Sequence, residues 1–363
     1  MKCIRSWGLV VAATLLLAAC GGGGDGDQSP RVAYGKLVSF GDSLSDVGSY
    51  ATVGLVGATG GGKYTVNGSG AKIWVEQIAA QVGVTAPCAA QTGLESDPSG
   101  PFAAFAEPIT NHAGCYAYGQ GGARVTNLVG PWNKALIPNP TGYLGQITDP
   151  VLNQITRHLA ATGGAFKADD LVLVTAGGDD LFIDLGTFAA IVGAGGDPTT
   201  AATAAVTAMG VASGELAAYV KNLVVAKGAK HIVVLNLGDA SLTPEALLFD
   251  AATRGLIQAM VQAFNAQLAA GLAGTGNEVL QVDLFTQVQR WAADPVQYGI
   301  ANMITGACDP AKAIAALICT DATTVAGDTS RYFWADSGGH ATPYGYQLTA
   351  QLVATEMIKR GWL

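Results

Sequence analysis

The chain has 363 residues, which is long enough for one large α/β domain or two small ones with a sizeable buried core. Half of the residues are hydrophobic and only 13% are charged, a composition typical of a folded globular protein and not of a disordered one. The formal net charge is -8, and no basic run follows the extreme N-terminus. Nucleic acid is therefore not an expected partner, because phosphate binding requires clustered lysines and arginines.

The first twenty residues are typical of an export signal. Lys2 and Arg5 give a positive start, and residues 9–19 form an apolar stretch that is too short to span a bilayer as a mature helix. The run Leu-Ala-Ala-Cys-Gly at residues 17–21 resembles the processing site of a bacterial lipoprotein, which implies lipidation of Cys20. The alternative is an ordinary signal peptide that is cut nearby, with Cys20 incidental.

The segment after the signal, residues 21–34, is Gly-rich and polar, as a flexible tether should be. Glycine at position 21, where aspartate would be the alternative, is similar to an outer-membrane sorting signal. We therefore expect an exported protein, lipid-anchored through Cys20 in the bacterial cell envelope at the outer membrane, or else secreted. Residues 35–363 contain no internal repeat and no second linker, and predict a single domain.

Four short apolar runs predict buried strands. They are rich in β-branched residues, as expected of parallel strands covered on both faces, and they lie at residues 36–40, 171–175, 231–235 and 278–282. Helical patterns lie between and after them, at residues 216–228, 244–271 and 342–360. This alternation predicts an α/β fold with a central parallel sheet flanked by helices. Residues 52–70 and 86–150 are rich in glycine and proline and predict long loops near the site.

Chemistry-bearing residues follow the strands, where functional groups of a parallel sheet collect. Residues 40–46 read Phe-Gly-Asp-Ser-Leu-Ser-Asp, residues 177–180 read Gly-Gly-Asp-Asp, and residues 334–340 read Trp-Ala-Asp-Ser-Gly-Gly-His. A serine hydroxyl needs a base that is itself oriented by a third group. His340, with Asp336 four residues before it, is the best candidate for that base.

The other three histidines are weaker candidates for the base. His112 lies in the irregular region, His158 falls within a predicted surface helix, and His231 begins a strand. None of them has an aspartate placed as Asp336 is placed before His340.

These blocks resemble those of the GDSL esterase/lipase family, also called SGNH hydrolases, from about residue 38 to the end of the final helix. The resemblance implies a three-layer, flavodoxin-like sandwich. It also implies that Ser43 is the nucleophile and that Asp336 and His340 complete a Ser-His-Asp triad. The spacing here is Asp-x-x-x-His where the family has Asp-x-x-His, and Asp328 or Asp321 is the alternative acid.

The oxyanion hole implied by the resemblance comprises the Ser43 amide, Gly122 in the run 118–124 (Tyr-Gly-Gln-Gly-Gly-Ala-Arg), and the residue at position 179. The family pattern there is Gly-x-Asn-Asp, but this chain has Asp179 in place of the asparagine. An ionised carboxylate would repel an oxyanion, whereas a buried, protonated Asp179 would donate to it. Otherwise two backbone amides act alone, or the enzyme is weakened or altered.

Four cysteines remain after the signal and Cys20 are set aside. They allow three pairings in an oxidising compartment, and we favour the sequence-local pairs Cys88 with Cys115 and Cys308 with Cys319. The chain has no Cys-x-x-Cys or His-x-x-x-His spacing, so neither a metal nor a cofactor is expected.

Together these features predict an exported serine esterase or lipase, a monomer acting on small-molecule or lipid carboxylic esters. An envelope acyltransferase or lysophospholipase is the alternative enzyme, because an alcohol can resolve the same acyl-enzyme. The non-enzyme alternative is a degenerate hydrolase lipoprotein that binds acyl or glycan ligands.

Overall fold

The computed structural model describes residues 32–96, 102–136 and 144–363. Within these residues, four parallel strands form the central sheet in the order β1-β4-β5-β6, and a short antiparallel pair, β2-β3, lies apart from it. All four predicted strands are present. The strand bounds are β1 Lys36–Gly41, β2 Gln91–Leu94, β3 Glu107–Asn111, β4 Asp170–Thr175, β5 His231–Leu235 and β6 Val279–Val282.

Helices cover both faces of the sheet. Their bounds are α1 Val53–Thr59, α2 Trp74–Gln81, α3 Val151–Ala161, α4 Gly178–Gly193, α5 Pro198–Tyr219, α6 Ala251–Gly271, α7 Leu284–Ala293 and α8 Pro343–Arg360. Alternate residues of a strand point to opposite faces. Accordingly, Val172 and Val174 pack with α3, α5 and α6, whereas Leu171 and Leu173 pack with α2, α7 and α8. The predicted three-layer α/β sandwich is thereby confirmed.

The first strand lies at the point where the order of the sheet reverses. On one side β1 pairs with β4, and on the other side Ser39 exchanges backbone hydrogen bonds with Tyr116 and Tyr118 of an extended segment. The segment around Ala117, which follows β1 in the chain, therefore lies on one side of β1, and β4 lies on the other side. Ligands of open α/β sheets bind at such a switch point, beyond the carboxyl ends of the strands. Ser43 follows β1 at this position.

Two predicted helices differ from the observed ones. The predicted helix 244–271 is broken, because the Asp250 side chain accepts a hydrogen bond from the Thr253 amide at 2.7 Å and starts α6 there as its N-cap. A separate 3-10 turn, Ala246–Leu248, precedes it. The predicted helix 216–228 is the end of α5, which continues as a π-helical segment, Val220–Val225. The regions predicted as loops also contain α1 and the β2-β3 pair, and α2 lies between these two regions.

Among the described residues, one helix, Pro198–Val225, is long and apolar enough to span a membrane by length and composition. Its buried residues Met209, Leu216 and Val220 belong to the core between this helix and the sheet. In this structure it is a layer of the sandwich.

Two disulfides are present, and they are the pairs that the sequence favours. Cys88 and Cys115 are joined with their Cα atoms 5.0 Å apart, and Cys308 and Cys319 with their Cα atoms 5.9 Å apart. Disulfides persist in oxidising compartments, so they indicate an extracytoplasmic location. The signal, Cys20 and most of the tether lie outside the described residues.

Candidate active site

Ser43 opens a 3-10 turn, Ser43–Ser45, directly after β1. The Asp42 side chain caps this turn, because its Oδ1 accepts from the Leu44 amide at 3.1 Å. Gly41 permits the sharp exit from the strand: its φ is +153°, and a Cβ there would collide with the Thr175 carbonyl oxygen. The local sequence thus fixes where the Ser43 hydroxyl lies.

A chain of hydrogen bonds joins the three residues predicted as a triad. Ser43 Oγ lies 2.9 Å from His340 Nε2, and His340 Nδ1 lies 2.7 Å from Asp336 Oδ2. A neutral imidazole with its proton on Nδ1 donates to Asp336 and accepts from Ser43, the tautomer that general-base catalysis by His340 requires.

The electrostatics of the pair agree with this geometry. Burial acts to lower the pKa of His340, but the charge of Asp336 and the hydrogen bond to it outweigh burial and raise that pKa. Burial acts to raise the pKa of Asp336, but the His340 charge and several hydrogen bonds leave it lowered. Asp336 is therefore ionised near neutral pH.

The extra residue between Asp336 and His340 is absorbed within a tight loop. Asp336 Oδ1 accepts from the amides of Gly338 at 3.1 Å and His340 at 3.2 Å, and Gly339 has a φ of +101°. The alternative acids, Asp321 and Asp328, are both exposed on the surface. The carboxylate that meets the imidazole is that of Asp336.

Gly122 lies in a loop that only glycine fits. Its φ is +80°, and a Cβ would come within 2.6 Å of the Pro131 carbonyl oxygen and 2.7 Å of Gln146 Oε1. The loop is tied to the turn that begins at Ser43, since Asp46 Oδ2 accepts from the Gly121 amide at 2.9 Å. The Gly122 amide is near enough to the Asp179 carboxyl to act on its pKa.

Asp179 is buried in the first turn of α4. Burial, then the neighbouring carboxyls of Asp42 and Asp180, raises the pKa of Asp179 well above its usual range. Its Oδ2 atom meets no hydrogen-bond partner in the part of the chain that the structure describes. Asp180 is held differently, by Arg124 Nε at 2.8 Å and the Val125 amide at 2.9 Å. These surroundings favour the neutral, protonated form of Asp179, which can donate a hydrogen bond.

An apolar cavity of about 170 Å³ opens beside Ser43, Asp179 and His340. One side of its wall comes from α4, the turn before α6 and α6 itself, and includes Leu181, Phe182, Leu185, Ala246, Phe249, Ile257 and Val261. Another side comes from other elements and includes Trp74, Leu284, Val288, Trp334 and Tyr346. A cavity of this size and lining accommodates a group comparable to benzene. Within residues 32–96, 102–136 and 144–363, no group of three or more His, Cys, Asp and Glu side chains is arranged to hold a metal ion.

Two contacts of the site had no signal in the sequence. The Tyr64 ring packs against His340 with 4.8 Å between ring centroids, although Tyr64 comes from a Gly-rich segment without periodicity. The Ala316 amide donates to Asp336 Oδ2 at 3.0 Å from a loop distant in the chain. No sequence motif marks either residue, because Tyr64 contacts the site through ring packing and Ala316 contacts it through its backbone amide.

The prediction of a surface position for His158 was wrong. Its ring is fully buried against Phe40, Tyr118 and Phe166, the last stacked at 4.5 Å between centroids. Burial lowers the pKa of His158 to about 4, so it is neutral under ordinary conditions. The sequence around residue 158 predicts a helix, but it does not show that the His158 side chain points inward. That direction depends on Phe40, Tyr118 and Phe166, which are distant from residue 158 or separated from it in the sequence.

Comparison with known protein families agrees with the arrangement of these residues. The family model described as GDSL-like Lipase/Acylhydrolase matches residues 37–353. A search among curated proteins gave no significant match. The matched span runs from β1 into the final helix and includes the Ser43 turn, the Gly122 loop, the start of α4 and the Asp336–His340 loop. The chain therefore belongs to the GDSL-like lipase/acylhydrolase family of hydrolases.

Proposed function

We propose that the protein is an exported serine hydrolase of carboxylic esters that works through an acyl-enzyme on Ser43. The observation that carries the proposal is the hydrogen-bond chain from Ser43 through His340 to Asp336, at 2.9 and 2.7 Å. In a nucleophilic mechanism, a hydroxyl in this position transfers its proton to the imidazole as it attacks.

In the first half-reaction, His340 takes the proton of Ser43, and the Oγ atom bonds to the ester carbonyl carbon. The oxyanion accepts hydrogen bonds from the Ser43 and Gly122 amides and from the protonated carboxyl of Asp179. Each such donor stabilises the transition state by about 3 kcal/mol. His340 then protonates the departing alcohol, and Asp336 stabilises the imidazolium throughout.

In the second half-reaction, His340 deprotonates a water molecule that attacks the acyl carbon. The bond between Ser43 Oγ and the acyl carbon breaks, and the serine recovers its proton. No cofactor enters either step. The acyl group occupies the apolar cavity between α4 and the Ala246–Leu248 turn, which supports esters of apolar acids of about six carbons, a size similar to benzene.

A chain-length series tests this function. The purified domain is given p-nitrophenyl esters of increasing acyl length, with Ser43→Ala as the control. We expect kcat/KM to rise as the cavity fills and to level off or fall once the chain exceeds it. If the wild type hydrolyses none of the esters, or if Ser43→Ala hydrolyses them equally well, the proposal is contradicted.

We further propose that the chain is lipid-anchored through Cys20 in the bacterial envelope, at the outer membrane. The support is the Leu-Ala-Ala-Cys-Gly run at residues 17–21 and the glycine after the cysteine. The two disulfides agree with export.

A further inference from the structure

The loop closed by the Cys308–Cys319 disulfide reaches the acid of the proposed triad. The Ala316 amide in this loop donates to Asp336 Oδ2 at 3.0 Å, and the same oxygen accepts from His340 Nδ1 at 2.7 Å. Ala316 is fully buried, so water does not stand in for this donor. The orientation of the Asp336 carboxylate therefore depends on where the loop holds Ala316 as well as on the Gly338 and His340 amides that donate to its Oδ1 atom.

One arm of the loop lies alongside the residues that precede Asp336. The Ala307 amide donates to the Trp334 carbonyl at 2.9 Å, and the Cys308 amide donates to the Ala335 carbonyl at 2.7 Å. Cys308 is also buried in one cluster with Ala335. This arm is consequently fixed to the backbone that carries the acid.

The other arm is held by Asn67. The Asn67 side-chain amide donates to the carbonyls of Cys319 at 2.9 Å and Ala316 at 3.2 Å, and its backbone amide donates to Cys319 at 2.8 Å. The disulfide joins this arm to the Cys308 arm. It thereby connects the backbone beside Asp336 to the backbone that donates to Asp336.

We propose that the disulfide-closed loop, residues 308–319, is a positioning element that holds the Asp336 carboxylate on His340. Without the bridge, only hydrogen bonds connect the arm that carries the Ala316 donor to the arm beside Asp336, and the carboxylate spends less time aligned with Nδ1. The inference rests on the proposed function only in assigning Asp336 the role of orienting His340. The positioning itself can be measured without substrate.

The test compares two disulfide deletions. Cys308→Ala/Cys319→Ala removes the proposed positioning bridge, and Cys88→Ala/Cys115→Ala is the matched control. The bridged residues are 11 apart in the first pair and 27 apart in the second. Because a longer closed loop restrains the unfolded chain more, a general stability effect would be at least as large in the control.

Two readouts separate positioning from stability. The first is the downfield proton NMR signal of His340 Nδ1–H, which persists only while that proton is held on Asp336. We expect it to broaden or vanish in Cys308→Ala/Cys319→Ala and to remain in the control. The second is hydrolysis, where we expect kcat to fall about tenfold or more with KM nearly unchanged, since a hydrogen bond to a charged group is being loosened.

A single substitution addresses the donor directly. Ala315 has φ -151° and ψ 153°, which suits the residue before a proline, and Ala316 begins a 3-10 turn, where proline is tolerated. Ala316→Pro replaces the donating N–H by a methylene group, so it should lower kcat at least as much as the bridge deletion.

Three results would overturn the inference. An unchanged Nδ1–H signal in both Cys308→Ala/Cys319→Ala and Ala316→Pro is the first. The second is an equal loss of signal and of kcat in the two disulfide deletions, because a loss of stability alone would then explain both. Retention of kcat by Ala316→Pro is the third. If the wild type hydrolyses no ester, the proposed function fails, and the NMR comparison still decides the positioning role.

Discussion

Among the single residues of the site, Asp179 departs from the family pattern Gly-x-Asn-Asp. An ionised carboxylate accepts hydrogen bonds and would repel the oxyanion, whereas a neutral carboxyl donates. Its burial, and then the neighbouring carboxyls of Asp42 and Asp180, raises the pKa of Asp179, which favours the protonated form. The resemblance alone could not decide between these states, since the protonation depends on how closely the carboxyls meet.

The first prediction concerns the alkaline side of the pH profile. As the pH rises through the folded-state pKa of Asp179, the carboxyl loses its proton and stops donating, so the ester-hydrolysis rate of the wild type should fall. Asp179→Asn keeps an amide donor at every pH, and we expect it to retain the wild-type rate near neutral pH and to lack this alkaline fall. The measurement is kcat/KM against pH for both proteins. An alkaline fall that persists unchanged in Asp179→Asn would exclude loss of the Asp179 proton as its cause.

The second prediction concerns Gly122. Its φ of +80° and the absence of room for a Cβ mean that Gly122→Ala must displace the loop that carries the amide. We expect kcat to fall about 10²-fold to 10³-fold, the effect of losing one oxyanion donor. Gly186→Ala is the control, because that helical glycine has open space around it. Comparable activity of the two variants would contradict the assignment of Gly122.

At the scale of elements, the strands were predictable because each is a short, nearly continuous apolar run. The apolar run from Lys36 to Phe40 and the glycine after it indicate both the strand and its exit. The break before α6 was missed, since Asp250 lies within a segment of good helix formers and its capping bond depends on the local turn. The β2-β3 pair was missed because Gln91–Leu94 and Glu107–Asn111 are too polar to suggest strands.

The contact between β1 and α3 contains a titratable group that catalysis does not use. Both ring nitrogens of His158 are without a hydrogen-bond partner among the described residues, and the ring is enclosed by Phe40, Tyr118 and Phe166. Burial lowers the pKa of His158 to about 4, below the ordinary value of 6.5. A charge there would be strongly disfavoured in the folded state.

The third prediction concerns how the free energy of unfolding changes with pH. Below pH 6.5 the unfolded chain gains a proton on His158, but the folded protein does not until about pH 4, so the free energy of unfolding decreases across this window. The loss should approach about 3 kcal/mol at pH 4. In His158→Phe this loss should be absent, and chemical denaturation of both proteins at pH 7 and pH 4 measures the difference. Parallel losses in the two proteins would contradict the prediction.

For the whole molecule, the direction of β1 places the start of the described chain and the proposed active site at opposite ends of the strand. The described chain enters at the amino end of β1, and Ser43 follows its carboxyl end. Six residues of strand span about 20 Å. The first described residues and the proposed active site therefore lie at opposite ends of this strand.

The fourth prediction tests the anchor. Cys20→Ala should move the protein from the membrane fraction to the soluble fraction and abolish labelling with a radioactive fatty acid. Its kcat on a soluble p-nitrophenyl ester should stay that of the wild type, because Ser43, Asp336 and His340 all lie in the domain and not in the signal or tether. A wild type that is soluble and unlabelled would instead indicate an ordinary signal peptide.

The central claim is that Ser43 is a nucleophile activated by His340. The most direct measurement is labelling of the intact protein with a fluorophosphonate, followed by mass spectrometry of its peptides. The account predicts one adduct, on Ser43, which is absent in Ser43→Ala and forms far more slowly in His340→Ala. No adduct on the wild type, or an adduct that persists in Ser43→Ala, would contradict it.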